Sequence, residues 1–238
     1  AFRAGHEAKH AENYRINSFH LGEGSPKQKF RANMDAIYTL KTLENQNRDA
    51  TPEEQETLAN YVGWGGLADA FDAEKTAWAG EYKELKAALT EEEYAAARAS
   101  TLNAHYTSPT VIRAIYEALD CMGFEKGNIL EPSMGVGNFF GMLPDSMLGS
   151  RLYGVELDSI TGRIAQKLYP QAEIKVAGFE TTDRRDFYDL AVGNVPFGNY
   201  RVSDKPYDKL GFSIHNYFFA KALDQVRPGG IVAFVTSR

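Results

Sequence analysis

Polar and apolar positions change rhythm once along this chain, near residue 100. Before that point apolar residues recur every three to four positions. In "SPKQKFRANMDAIYTLKTLENQ" they fall at Phe30, Met34, Ile37, Leu40 and Leu43, one stripe of an amphipathic helix. Ser25 followed by Pro26 supplies a cap and a first turn. "TPEEQETLANYV" repeats the signal, with Thr51 as cap, Pro52 in the first turn, and Glu53 and Glu54 near the positive end of the helix. "GWGGL" (Gly63 to Leu67) breaks the pattern, and "TEEEYAAARAS" starts a third capped helix at Thr90. The first twenty or so residues carry no clear period and read as extended or partly disordered.

From about Leu102 helix-type and strand-type segments alternate. They are helix 109–121, strand 127–131, helix 137–143, strand 151–156, helix 159–168, strand 172–176, strand 187–192, helix 213–226 and strand 230–236. Alternation with short connections predicts a parallel sheet covered by helices. The expected organisation is an α/β domain over 102–238 behind a helical region over 1–101.

Composition narrows the classes. The 238 residues suffice for one large domain or a domain with a helical appendage. No run approaches the roughly 18 apolar residues of a membrane span, so no membrane partner is expected. The chain begins Ala-Phe-Arg without a signal-peptide pattern, which suggests a piece of a longer polypeptide. The single Cys121 forms no internal disulfide, and no Cys/His cluster has zinc spacing; a cytoplasmic protein without a metal is expected. The net charge of −6 gives no overall basic footprint, so any nucleic-acid contact must be local or helped by other parts. Nothing in the sequence sets an oligomeric state.

Two turns carry candidate chemistry. "NILEPSMGVGNFF" is an apolar strand, the acidic Glu131, a turn with Gly135 and Gly137, and a helix start at Asn138. Glycines there let the backbone approach a ligand. The dinucleotide fingerprint is incomplete, because Gly141 falls one residue late, and no P-loop Gly-Lys-Ser/Thr follows. About twenty-five residues on, "LYGVELD" ends a second strand at Glu156, where an acid commonly holds ribose hydroxyls. The alternative is that Glu156 and Asp158 only cap the helix near Ser159. The second turn is "YDLAVGNVPFG": an apolar strand stops at Asn194 and presents Val195, Pro196, Phe197 and Gly198. It is either a plain turn or an amide and a ring arranged for a flat substrate.

Together, "EPSMGVGNFF", "GVELD" and "NVPF" in this order resemble the S-adenosylmethionine-dependent DNA adenine-N6 methyltransferases, in a gamma-like arrangement. The family's Asp/Glu-Pro-x-x-Gly-x-Gly-x-Phe corresponds to Glu131, Pro132, Ser133, Gly135, Gly137, Asn138 and Phe139. Its Asp/Asn-Pro-Pro-Tyr/Phe corresponds to Asn194-Val195-Pro196-Phe197, with Val195 in place of the first proline. "HYTSPTVIRAIYEAL" resembles the Tyr/Phe-Thr-Pro segment that closes over the methionine end of the cofactor.

The resemblance implies a Rossmann-like methyltransferase with a mostly parallel sheet ordered 3-2-1-4-5, helices on both faces, and S-adenosyl-L-methionine as cofactor. It places Tyr106, Thr107 and Pro109 on the methionine side and Glu131 near the methionine or its neighbouring turn. It puts Glu156 with Leu157 at the ribose, and Phe179 with Glu180 at the cofactor adenine, where "AGFETT" departs from the usual pattern. Asn194 and Val195 would accept the two amino hydrogens of a flipped adenine, and Phe197 would stack on it. Beyond residue 238 it implies an antiparallel hairpin and a recognition domain. The leader with "YVGWGGL" resembles that of large methylase–helicase polypeptides of phages and conjugative elements, which implies DNA and other domains, including a helicase, as partners.

Two further segments stand out. Tyr217, Phe218, Ala220 and Leu223 in "FSIHNYFFAKAL" read as a core stripe, next to His215 at the helix start. "NYRVSDKPYDKLGF" is long for a connection and reads as a mobile or substrate-facing loop, with Arg201, Lys205 and Lys209 as candidate phosphate contacts. Two other readings stay open: methylation of a protein glutamine or an RNA guanine, and a non-catalytic DNA-docking module.

Overall fold

The structure is a computed structural model, and it describes residues 11–17, 22–101 and 107–236. Tyr106 and most of the first twenty residues lie outside the described residues.

The N-terminal helices are α1 (Pro26–Asn45), α2 (Pro52–Ala59), α3 (Ala79–Ala88) and α4 (Glu91–Ser100). α1, α2 and α4 start with full capping boxes, in which Ser25, Thr51 and Thr90 pair reciprocally with Gln28, Glu54 and Glu93. The stripe on α1 is buried as its spacing predicts, from Phe30 to Leu43. The sequence pattern gave no helix at 79–88. It buries only Leu85, and one buried residue leaves no period to read.

The sheet follows. β1 (Asn128–Glu131), β2 (Arg151–Glu156), β3 (Glu173–Val176), β4 (Tyr188–Asn194) and β5 (Val226–Val235) form one sheet ordered 3-2-1-4-5, with every pair parallel. α5 (Pro109–Cys121), α6 (Asn138–Gly141), α7 (Ser159–Leu168) and α8 (Ile214–Gln225) complete the alternation. This is the Rossmann-like strand order 3-2-1-4-5 that the resemblance implied. β5 begins earlier than its apolar run: Val226 pairs with Tyr188, and the register then jumps to Ile231 opposite Leu190.

Strand side chains alternate between two cores. Ile129, Leu190 and Val192 join the side that holds α5, α6 and α7, whereas Leu130, Val155 and Ala191 meet α8. The first core does not stop at the sheet. It runs without a break into Phe30, Leu40 and Leu85 of the N-terminal helices and Trp64 of the turn after α2. α1 and α2 pack directly on α7. A partly buried ion network reinforces that seam. Arg163 of α7 reaches Glu93 at 2.6 Å and Glu44 at 3.4 Å, and Lys41 of α1 meets the same Glu93 at 3.2 Å.

α8 corrects part of the expected stripe. Tyr217 and Phe218 are buried, but Leu223 is 61% exposed, on the helix's outer side. The long 199–212 connection is fastened rather than loose. Asp204 pairs with Lys221 at 2.5 Å, both side chains being less than a tenth exposed, and it accepts from the Tyr217 hydroxyl at 2.7 Å.

A shared core predicts shared unfolding. Leu40→Ala should cost about 2–5 kcal/mol and move the whole chain. In urea, fluorescence of Trp64 and Trp78 in the N-terminal region and far-UV ellipticity of the whole chain should keep one common midpoint. Two separated midpoints would mean that the helices and the sheet fold independently.

Candidate functional site

The carboxyl ends of β1, β2 and β4 meet at one cavity of about 230 Å³. Ligands of open α/β sheets bind at this edge, where the strand order reverses.

The glycine turn after β1 forms its floor. Gly135 and Gly137 have φ of 57° and 85°, a left-handed region costly for other residues. At Gly137 space is also closed, since a Cβ would lie 2.5 Å from the Tyr169 ring. The turn is seated on β2 through the Met134 N–H, which donates to the Val155 carbonyl at 3.0 Å. The Met134 sulfur lies where a Cβ on Gly154 would be, 2.2 Å from that position.

Glu156, at the end of β2, ties this turn to the next. Its two carboxylate oxygens accept from the Gly135 N–H and the Asp158 N–H, each at 2.8 Å. Asp158 caps α7 by accepting from the Thr161 N–H at 2.8 Å and the Thr161 hydroxyl at 2.6 Å. Capping thus falls to Asp158, while Glu156 remains a wall of the cavity. Burial pushes the Glu156 carboxyl up to about 7, against the opposing pull of its backbone donors.

Glu131 is the more unusual acid. It is 2% exposed, and its Oε2 has no hydrogen-bond partner among the described residues. Burial, with the Glu156 charge adding to it, holds its pKa well above the ordinary carboxylate range. Gly193 lets β4 come close: a Cβ there would lie 3.2 Å from Glu131 Cγ.

The Asn194–Phe197 turn forms the opposite rim. Valine in place of proline brings a backbone N–H that needs a partner. It has one, for the Val195 N–H donates to the Val235 carbonyl of β5 at 3.1 Å. The substitution extends the ladder by one bond, and Val195 itself is buried. Tyr200, 46% exposed, lines the same mouth. Its ring folds back over Gly198, where a Cβ would lie 3.2 Å away.

Of the residues singled out by sequence, Thr107, Glu131, Ser133, Gly135, Asn138, Phe139, Glu156 and the whole Asn194–Phe197 turn line the cavity. Pro132 and Gly137 shape the turn without lining it, and Pro109 starts α5. Leu157 stands beside Glu156 and is 76% exposed. Phe179 and Glu180 do not line the cavity. Phe179 is buried against Tyr217 and Phe218, beneath α8. The cavity also takes in Tyr61, Gly63, Ser100, Met134, Thr161 and Tyr200, which motif matching did not mark. Tyr61 and Gly63 lie in the "YVGWGGL" run, Met134 inside the glycine turn and Tyr200 at the start of the 199–212 segment.

The lining fits an amphiphilic ligand with distinct ends. Glu131 offers a buried oxygen with no donor, suited to an ammonium or hydroxyl. Glu156 offers acceptors suited to vicinal hydroxyls, and the glycine turn admits close contact.

No family model matches the chain. It is similar to "Defense against restriction protein B" of Escherichia phage P1, with 28% identity over 220 residues that cover 90% of this chain and 8% of that protein. It is also similar to "Type II methyltransferase M.CvrRI" of Paramecium bursaria Chlorella virus XZ-6E, with 34% identity over 92 residues, 39% of this chain and 24% of that protein. The chain therefore spans only a small part of each of these relatives. Among solved structures, a Listeria monocytogenes protein described as a class I S-adenosylmethionine-dependent methyltransferase overlaps 87% of this chain and 73% of its own, at 13% identity and a TM-score of 0.46. The O-methyltransferase from Bacillus cereus overlaps 71% of each chain, at 16% identity and a TM-score of 0.34. Such low scores add nothing to what the strand order already establishes.

Glu131 makes a pH prediction. Below about 4.5 its carboxyl is protonated in both the folded and the unfolded chain. As pH rises past that value the unfolded chain releases the proton and the folded chain keeps it, so folding stability falls. Glu131→Gln removes this slope. Urea midpoints should show the variant gaining on the wild type as pH rises above about 4.5, by at most about 1.4 kcal/mol per pH unit. A constant difference across that range would mean that Glu131 is ionised when folded.

Proposed function

We propose that this chain binds S-adenosyl-L-methionine and transfers its methyl group to the exocyclic amino nitrogen of adenine in DNA. One observation supports the reading above the others: the Glu131–Gly135–Glu156 set and the Asn194–Phe197 turn wall the same cavity. Two motifs about sixty residues apart in sequence converge where a donor and an acceptor would have to meet.

The roles follow from the residues. Glu131 would hold the amino group of the methionine moiety, Glu156 the ribose hydroxyls, and Thr107 the methionine side. The cofactor supplies an electrophilic methyl group. The protein's part is to position the acceptor and make it nucleophilic. Adenine's amino lone pair is delocalised into the ring. The Asn194 side-chain oxygen and the Val195 carbonyl accept its two hydrogens and draw the nitrogen toward tetrahedral geometry. Phe197 stacks on the base, a contact worth about 1–3 kcal/mol, after the base leaves its duplex. Catalysis then rests on positioning and needs no strong base.

The two sequence relatives are named for defence against restriction and for a type II methyltransferase. Methyl transfer agrees with the second name, and protection of DNA from restriction with the first. We assign methyl transfer to residues 102–238. Further domains, among them a recognition domain and a helicase, are the proposed partners.

The test is calorimetric titration with S-adenosylhomocysteine, followed by transfer of labelled methyl from S-adenosylmethionine to DNA and nucleoside analysis. Wild type should bind, Glu156→Ala should lose binding, and the product should be N6-methyladenine. Asn194→Ala should retain cofactor affinity and lose methyl transfer by about a hundredfold or more. Label recovered in protein or RNA would redirect the acceptor, and binding without any transfer would refute catalysis.

A further inference from the structure

The "YVGWGGL" run has no role in the reading above, yet its first residues reach the cavity. Tyr61 and Gly63 line it, as does Ser100 at the end of α4. These residues meet the cavity where β2 and α7 present Glu156, Asp158 and Thr161. The Tyr61 hydroxyl lies beside Thr161 and close to the carboxylates of Asp158 and Glu156.

The turn is held from below by an unusual contact. Asn33, in the middle of α1, is fully buried. Its amide donates to the Gly63 carbonyl at 2.6 Å, and its oxygen accepts from the Val62 N–H at 2.9 Å. A buried amide is costly unless paired, and here both of its ends are used on two successive residues of one turn. Trp64 holds the far side. It is 1% exposed and packs edge-on against Phe71 at 5.3 Å and Phe30 at 6.1 Å. Gly63 sits between these anchors at φ 69°, so bare backbone faces the cavity.

We propose that the Tyr61–Gly63 turn, positioned by Asn33, and Ser100 form the wall for the nucleoside end of the cofactor. The N-terminal helices then belong to the binding site. The inference rests on the cofactor reading given above and goes beyond it by assigning these four residues. Asn33 is a positioning residue, since it acts through the turn. Ser100 is partly exposed at a helix end, where a larger side chain can enter the cavity without displacing the core.

The test is titration of S-adenosylhomocysteine and of adenosine into the full chain and three variants: Glu156→Ala, Ser100→Phe and Asn33→Ala. Urea midpoints are measured alongside, so that binding is compared only where each protein is folded. Ser100→Phe should weaken both ligands at least tenfold with its midpoint near that of the wild type. Asn33→Ala should weaken both ligands in parallel in fully folded protein, which a loss of stability alone would not do. If wild type binds and Glu156→Ala does not, while Ser100→Phe and Asn33→Ala bind like wild type, the wall is refuted and the cofactor reading stands. Weakening by Ser100→Phe alone would keep the wall and overturn the role of Asn33. No binding by the folded wild type would overturn the cofactor reading, and this inference with it.

Discussion

Two carboxyl groups at the ends of neighbouring parallel strands set the terms for the rest of the site. Glu131, fully buried, ends β1, and Glu156, half-buried at the cavity wall, ends β2. Burial of an acid is unfavourable unless donors surround it. Glu156 is met by two backbone N–H groups, and to receive them it must hold the glycine turn and the start of α7 in fixed places. Glu131 Oε2 has no such donor among the described residues. Gly193 clears the space in which this side chain sits.

The second constraint is the seam between the helical region and the sheet. One apolar core crosses it, and the charges along it are shared among three helices. Glu93 illustrates the economy of the arrangement. Its carboxylate completes the capping box of α4 and also meets Lys41 of α1 and Arg163 of α7. Secondary structure, tertiary packing and the position of Ser100 at the cavity therefore all pass through the same short helix.

Much of this was legible in the sequence, and the exceptions have a common cause. Local signals were reliable: capping pairs started helices, the α1 stripe is buried, and the two motifs end strands that meet at one cavity. The strand order followed the family resemblance. What failed to show depends on contacts distant in sequence. Asn33 gives no sign in a helix of its tie to Gly63, thirty residues on. Phe179 has the aromatic character wanted for a ligand contact, but α8 folds over it. Leu223 matches the apolar stripe by spacing, yet nothing packs on that side of the helix closely enough to bury it. Likewise, the partner for the Val195 N–H lies on β5, forty residues away.

The 199–212 connection looked mobile because its length and polarity were visible and its fastening was not. Lys221 and Asp204 divide it into two mechanical parts. Beyond residue 204 the chain is braced on α8, with Tyr207 bonded to Asp224 at 2.6 Å. Before it, the stretch carrying Phe197 and Tyr200 runs as a short span hinged between β4 and that brace. Any adjustment of this stretch is thereby confined to a few residues at the mouth of the cavity. The span resembles a clip fixed at both ends, where a swinging lid would need a free length of chain.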